Sequence, residues 1–152
     1  MAERTARGIV NDLIETCRDG ARGFQNAATL VKDPALEALL LDLADKRFAV
    51  AAELEPHAQR LGGEAAAQGT AKAALHRGWM DLKSVLTSHD DQAVMTEVRR
   101  GDAVSLRVFE QALGGPLPPS IRDRIEEQQR RMRADHDRIE EAMRTVTVRT
   151  VL

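Results

Sequence analysis

The sequence predicts an all-α protein, a bundle of four long helices with a shorter helix in the connection between the second and third. Three observations carry this reading. Apolar residues recur at spacings of three and four over four long stretches, as expected of helices with one buried face. Runs of β-branched residues are nearly absent before the last eight positions. Residues that start and stop helices stand at the joints between the stretches.

The first helix is expected over about 5–31. Its stripe is Val10, Leu13, Ile14, Cys17, Gly20, Ala21, Phe24, Ala28 and Val31. Gly20 and Gly23 cost roughly 1 kcal/mol each relative to Ala inside a helix. Either a neighbouring helix approaches closely there, or the two glycines are simply tolerated.

Asp33-Pro34 opens the second helix, over about 34–61, because Asp caps well and Pro suits the first helical position. The stripe is Leu36, Leu39, Leu40, Leu43, Arg47, Val50, Leu54, His57 and Leu61, and Gly62-Gly63 closes it. Pro56 removes one backbone hydrogen bond, so a kink is expected between Ala52 and Pro56. The short joint at Lys32-Asp33 makes the first two helices an antiparallel hairpin.

Glu64 to Gly69 is small and polar, a linker. The shorter helix follows over about 70–86, with Leu75, Trp79, Leu82 and Leu86 on one face. Ser88-His89-Asp90 breaks it, and Ser88 or Asp90 caps the third long helix, over about 90–113. Here Met95, Val98, Ser105, Phe109 and Ala112 form the stripe, interrupted at its centre by Gly101 and Asp102. A carboxylate on a buried face is costly unless it is paired.

Gly114-Gly115-Pro116-Leu117-Pro118-Pro119 is the sharpest punctuation in the chain. Ser120 is expected to cap the last helix, over about 120–145, whose face carries Ile121, Ile125, Gln128, Met132, His136, Ile139 and Met143. The tail, 146–152, is expected to be a flexible or frayed end. An extended arm that pairs with another chain is the alternative. Residues 1–152 form one domain on this reading.

Composition narrows the functional classes. Hydrophobic residues make up 43% and charged residues 30%, enough to bury a core, while aromatics are only 3%. The core must therefore be aliphatic. A net charge of -2 gives no pull toward nucleic acid or an anionic membrane. No apolar run approaches the ~20 residues that cross a bilayer. The polar start, Met1 to Arg7, is not followed by a signal-peptide stretch. Cys17 is alone, so no intrachain disulfide forms. These features point to a bacterial-type cytoplasm or an equivalent reducing space.

Four helices with one long crossover is the wiring of ferritin-like bundles. A more specific likeness lies in Asn11-Asp-Leu-Ile-Glu-Thr-Cys-Arg-Asp-Gly20, Leu75-His-Arg-Gly-Trp-Met-Asp-Leu-Lys83, Asp90-Asp91, Arg100-Gly101-Asp102, and Leu117-Pro-Pro119 leading to His136-Asp137. Together these stretches resemble a bacterial ferritin-like family known as domain of unknown function 2383. They span about Ile9 to Met143, and the tryptophan stretch is the most specific. The resemblance implies a ferritin-like four-helix bundle and no settled activity. The chain has Asp102 where that family is expected to carry Glu.

Ferritin-like bundles often hold two irons through a Glu from each of two helices and a Glu-x-x-His from each of the others. Three residues before His57, His76, His89 and His136 stand Leu54, Ala73, Leu86 and Arg133. No Glu-x-x-His exists here, which argues against that centre. A degenerate site for iron or zinc could draw on Glu53, His57, Glu97, Asp102 and His136. Axial height argues against it. Counting at about 1.5 Å per residue, His136 comes level with Glu97, and Glu53 and His57 fall roughly 15 Å away. The competing expectation is an internal ion pair of Arg47 with Asp102, both near mid-height, with Asp19 at its edge. His136 with Glu97 would be a second, buried hydrogen bond.

Cys17, on an apolar stripe, reads as an inert core residue. Trp79 reads as a plug of the crossover helix onto the bundle. The function these readings support is non-catalytic and cofactor-free: a cytoplasmic bundle acting as a homo-oligomer or through a protein partner. A stress setting follows from the ferritin analogy alone. The alternative is an iron- or zinc-binding protein with a reduced ligand set. A third reading is an adaptor whose crossover helix, around Trp79, contacts another protein.

Overall fold

The computed structural model of the protein describes residues 5–61 and 90–151, with side chains through Val146. Four helices make up the described residues: α1 (Ala6–Leu30), α2 (Pro34–Arg60), α3 (Asp91–Leu113) and α4 (Pro119–Val151). They form an all-α four-helix bundle. The expected crossover helix over 70–86, and Trp79 with it, lies outside the described residues.

Local chemistry sets the helix ends. The Thr5 hydroxyl accepts from the Gly8 N–H at 2.9 Å and starts α1. Asp33 accepts from the Ala35 N–H at 2.9 Å, with Pro34 at the first position of α2. Asp90, of the two cap candidates, accepts from the Gln92 N–H at 3.0 Å and starts α3. Each side-chain oxygen satisfies a donor that the helix cannot reach itself.

Two boundaries differ from expectation at α4. It begins at Pro119, where proline's fixed φ and missing N–H suit a first helical position. The Pro118 carbonyl takes the N–H groups of Ile121 and Arg122, so Ser120 lies inside the first turn rather than at the cap. At the other end α4 continues to Val151 instead of stopping near 145. Val146 is buried with the apolar cluster around Phe24 and Leu40, extending the face of Ile139 by two more turns. That packing outweighs the low helix preference of β-branched residues. Pro56 also sits within α2, which runs on to Arg60.

The topology follows from a few contacts. Ile9 lies against Gly115, Gly20 against Ser105, and the Lys32 N–H donates to Asp91, so α1 and α3 are antiparallel. The hairpin makes α1 and α2 antiparallel, and α2 and α3 are therefore parallel. Contacts of Glu110 with Gln129 and of Arg99 with Glu140 run α4 antiparallel to α3. Around the bundle α1 packs on α2 and on α3, α3 packs on α4, and α4 meets α2 along a looser seam. Helices α2 and α3 sit on the diagonal.

The hairpin turn is fastened to the start of α3. The Asp91 carboxylate accepts from the backbone N–H groups of Lys32, at 2.8 Å, and Asp33, at 3.0 Å. At the opposite end Gly115 lets the chain pass close to α1. A methyl there would come within 2.6 Å of Ile9 Cδ1.

The interior has two apolar clusters. One gathers Ile9, Leu13, Leu54, Phe109, Ile125 and Met132. The other gathers Phe24, Leu40, Leu43, Met95, Val98 and Ile139. Between them lies a polar layer from all four helices: Gly20, Arg47, Asp102 with Ser105, and His136.

Candidate functional site

The polar layer is the candidate site. Asp102 is fully buried, at 0% exposure, because α3 turns that face into the bundle axis. Arg47 is its counterpart at 1% exposure on α2. Arg47 Nη2 lies 2.7 Å from Asp102 Oδ1. No guanidinium N–H is aimed well enough at Oδ1 for a hydrogen bond, so the contact is ionic. The guanidinium also stacks over the Phe24 ring, 5.3 Å from its centre.

Gly20 of α1 faces this arginine. A methyl group at Gly20 would stand 3.7 Å from Ser105 Oγ and 3.9 Å from Arg47 Nη1, ordinary contact distances. Of the two readings of this glycine, tolerance fits the space better than steric need. The Ser105 hydroxyl is buried and donates to the Gly101 carbonyl at 3.4 Å.

The other oxygen of Asp102 belongs to α4. His136 Nδ1 lies 2.7 Å from Asp102 Oδ2. An ionised carboxylate only accepts, so Nδ1 carries the hydrogen. His136 Nε2 lies 3.5 Å from Glu140 Oε1, and Glu140 lies 3.6 Å from Arg99 Nη1. Five side chains, Arg99, Glu140, His136, Asp102 and Arg47, thus lead from the surface to the axis.

The electrostatics follow from these neighbours. Burial works to raise the Asp102 pKa, but Arg47 and the His136 hydrogen bond outweigh it and hold the carboxyl below its ordinary range. The hydrogen bond to Asp102 raises the His136 pKa above its ordinary value, against a smaller opposing effect of burial. Burial pushes the Cys17 thiol up to about 12, so it stays protonated and inert.

The pairing of His136 is a correction. Counting along the chain puts it level with Glu97; in the structure it meets Asp102, about five residues or roughly 7.5 Å away. The Gly114–Pro118 connection is responsible. Arg122 in the first turns of α4 donates to the carbonyls of Leu113 and Gly115. The start of α4 therefore lies beyond the end of α3 rather than beside it. Glu97 instead pairs with Arg100, at 2.6 Å, on its own helix.

Of the remaining candidates, Glu53 and His57 lie away from the layer. Glu53 is held by Arg131 at 3.1 Å from both its oxygens. His57 sits ten residues beyond Arg47 on α2, roughly 15 Å along the axis. Asp19 pairs with Arg22 at 3.1 Å. Among the described residues, no group of three or more His, Cys, Asp or Glu side chains is placed to hold a metal ion. Both Asp102 oxygens are already taken by a guanidinium and an imidazole.

Sequence reasoning missed Glu140 and Arg99. The i, i+4 spacing of His136 and Glu140 was a usable signal; the height of Arg99 was not readable before the α4 offset was known. Along the looser seam a cavity of about 270 Å³ lies between α2 and α4, bordered by Arg47, Val50, Met132, Lys46, Arg131 and Asp135.

Residues 7–115 match the family model described as Domain of unknown function (DUF2383). No curated protein matches the chain. No described helix is long and apolar enough to cross a membrane.

Proposed function

The chain belongs to the DUF2383 family, and from that premise we propose that it is a non-catalytic, ferritin-like bundle that acts by assembling with itself or with a protein partner. One observation carries the proposal. The carboxylate at the bundle's centre, where a ferritin-like protein would present a metal ligand, is neutralised by Arg47 and His136. A guanidinium beside a would-be ligand repels a cation, and Arg47 with the His136 hydrogen bond keeps the Asp102 carboxyl below its ordinary range.

No bound cofactor belongs to this reading. A cytoplasmic, stress-related setting is part of the proposal and rests on analogy with ferritin-like bundles. Metal analysis of protein purified without chelator, then incubated with iron or zinc, is the first test. Near-zero stoichiometry is expected, and one or two ions per chain would overturn the non-metal part. Light scattering across a concentration series tests self-assembly. A multiple of the 16.7 kDa chain mass supports it. A monomer at every concentration removes it and leaves the partner arm, tested by crosslinking in cells.

A further inference from the structure

We propose that His136 is a proton-operated latch between the buried charge layer and the surface of the α3–α4 pair. The two ring nitrogens have different jobs. Nδ1 is committed to Asp102 Oδ2 at 2.7 Å, inside the bundle. Nε2 faces Glu140 Oε1 at 3.5 Å, and Glu140 faces Arg99 at 3.6 Å. The imidazole is 18% exposed while Asp102 is closed off, so the proton that exchanges with solvent is the one on Nε2.

With that proton present, Nδ1 donates to Asp102 and the charged Nε2–H faces the Glu140 carboxylate as an ionic neighbour. When it leaves to water, Nε2 presents a lone pair to the Glu140 carboxylate, and two acceptors face each other. Glu140 then turns off the ring, and its pairing with Arg99 rearranges with it. The Nδ1 hydrogen bond to Asp102 stays, and with it the Asp102–Arg47 pair. The latch therefore rearranges a surface pair without opening the core.

The charged surroundings on every side are consistent with this. On α3, Glu97 pairs with Arg100 and leaves Arg99 for Glu140. On α4, Glu140 and Asp137 both favour the protonated ring. On α2, Arg47 acts through Asp102. On α1, Asp19 and Arg22 pair with each other at this height. Switching is placed above the ordinary imidazole value of 6.5. This inference does not depend on how the protein assembles.

The test is a nitrogen-15 imidazole titration of the full chain by NMR, from about pH 5 to about pH 9. His136 is expected to titrate above the free imidazole and to end in the Nδ1–H tautomer. The Arg99 side-chain N–H and the Glu140 carboxyl carbon are expected to shift with the same midpoint. In Glu140→Gln, a substitution of a partly exposed side chain, the midpoint is expected to fall while the Nδ1–H tautomer persists. A neutral ring in the Nε2–H tautomer would overturn the proposal. So would a Glu140→Gln midpoint equal to that of the parent chain, or Arg99 and Glu140 signals that ignore the titration.

Discussion

Arg47 and Asp102 meet across the diagonal of the bundle, on helices that barely touch one another. The arginine reaches past α1, over the Phe24 ring, to a carboxylate on the far side of the axis. Neither group has water to fall back on. Breaking such a pair by removing one partner typically costs about 3 to 5 kcal/mol, although the intact pair adds little net stability. Arg47→Met and Asp102→Asn are therefore each expected to be strongly destabilising in urea unfolding. The double variant is expected to lose clearly less than the two losses added together. Additive losses would mean that the two charges do not stabilise each other.

The charge layer also sets a pH profile. Asp102 has a lowered pKa, so its contribution is present above the ordinary carboxyl value of 3.8 and is lost as pH falls through its folded value. His136 has a raised pKa, so its contribution is complete below 6.5 and is lost as pH rises through its folded value. The layer is expected to stabilise most between those two ordinary values. Chemical denaturation at a series of pH values checks this, and the alkaline decline is expected to vanish in His136→Gln.

Cys17 offers a probe of global opening. Its thiol is buried and held protonated by a pKa of about 12. A thiol-specific disulfide reagent is expected to leave the native protein unmodified and to react at once in denaturant. Rapid labelling of the native chain would show that this part of the core is open to solvent.

Asp91 fastens the α1–α2 turn to α3 through two backbone N–H groups. Asp91→Ala leaves both donors without their acceptor. A loss of about 1 to 3 kcal/mol is expected, with a smaller loss in Asp91→Asn, which keeps one oxygen. Thermal unfolding of the three proteins ranks them.

Gly115 is crowded by a neighbour rather than constrained by its own backbone. Gly115→Ala brings a methyl to 2.6 Å from Ile9 Cδ1, and overpacking of this kind costs about 1 to 3 kcal/mol. Ile9→Val removes that very carbon at a cost of about 0.5 to 1.5 kcal/mol. The double variant is expected to be more stable than additivity allows.

Most of the fold was legible from spacing. Every residue of the α1 stripe is buried, and so are Met95, Val98, Asp102, Ser105, Phe109 and Ala112 of α3. The caps Asp33 and Asp90 act as their residue types suggest. Periodicity reports which way a side chain faces and how high it stands within its own helix. It does not report how two helices slide past each other. That is why the Arg47 and Asp102 faces were readable while His136 was assigned the wrong neighbour. Five residues of glycine, proline and leucine decide that offset, and they carry no periodic signal. The reach of α4 past Thr145 was hidden for another reason: the β-branched composition of the tail speaks against a helix that Val146 packing then supports.

The polar layer solves a problem that leucine and valine leave open. Greasy surfaces are nearly indifferent to which rung meets which, and a helix slipped by one turn, about 5.4 Å, would hide almost as much oil. The same slip would strand the guanidinium of position 47 opposite Val98 or Leu106 and leave Asp102 bare. One salt link at the waist thus works as an index pin. Mutational drift is free to rewrite the aliphatic floors on either side, but the alignment of three rods is pinned by three side chains, Arg47, Asp102 and His136.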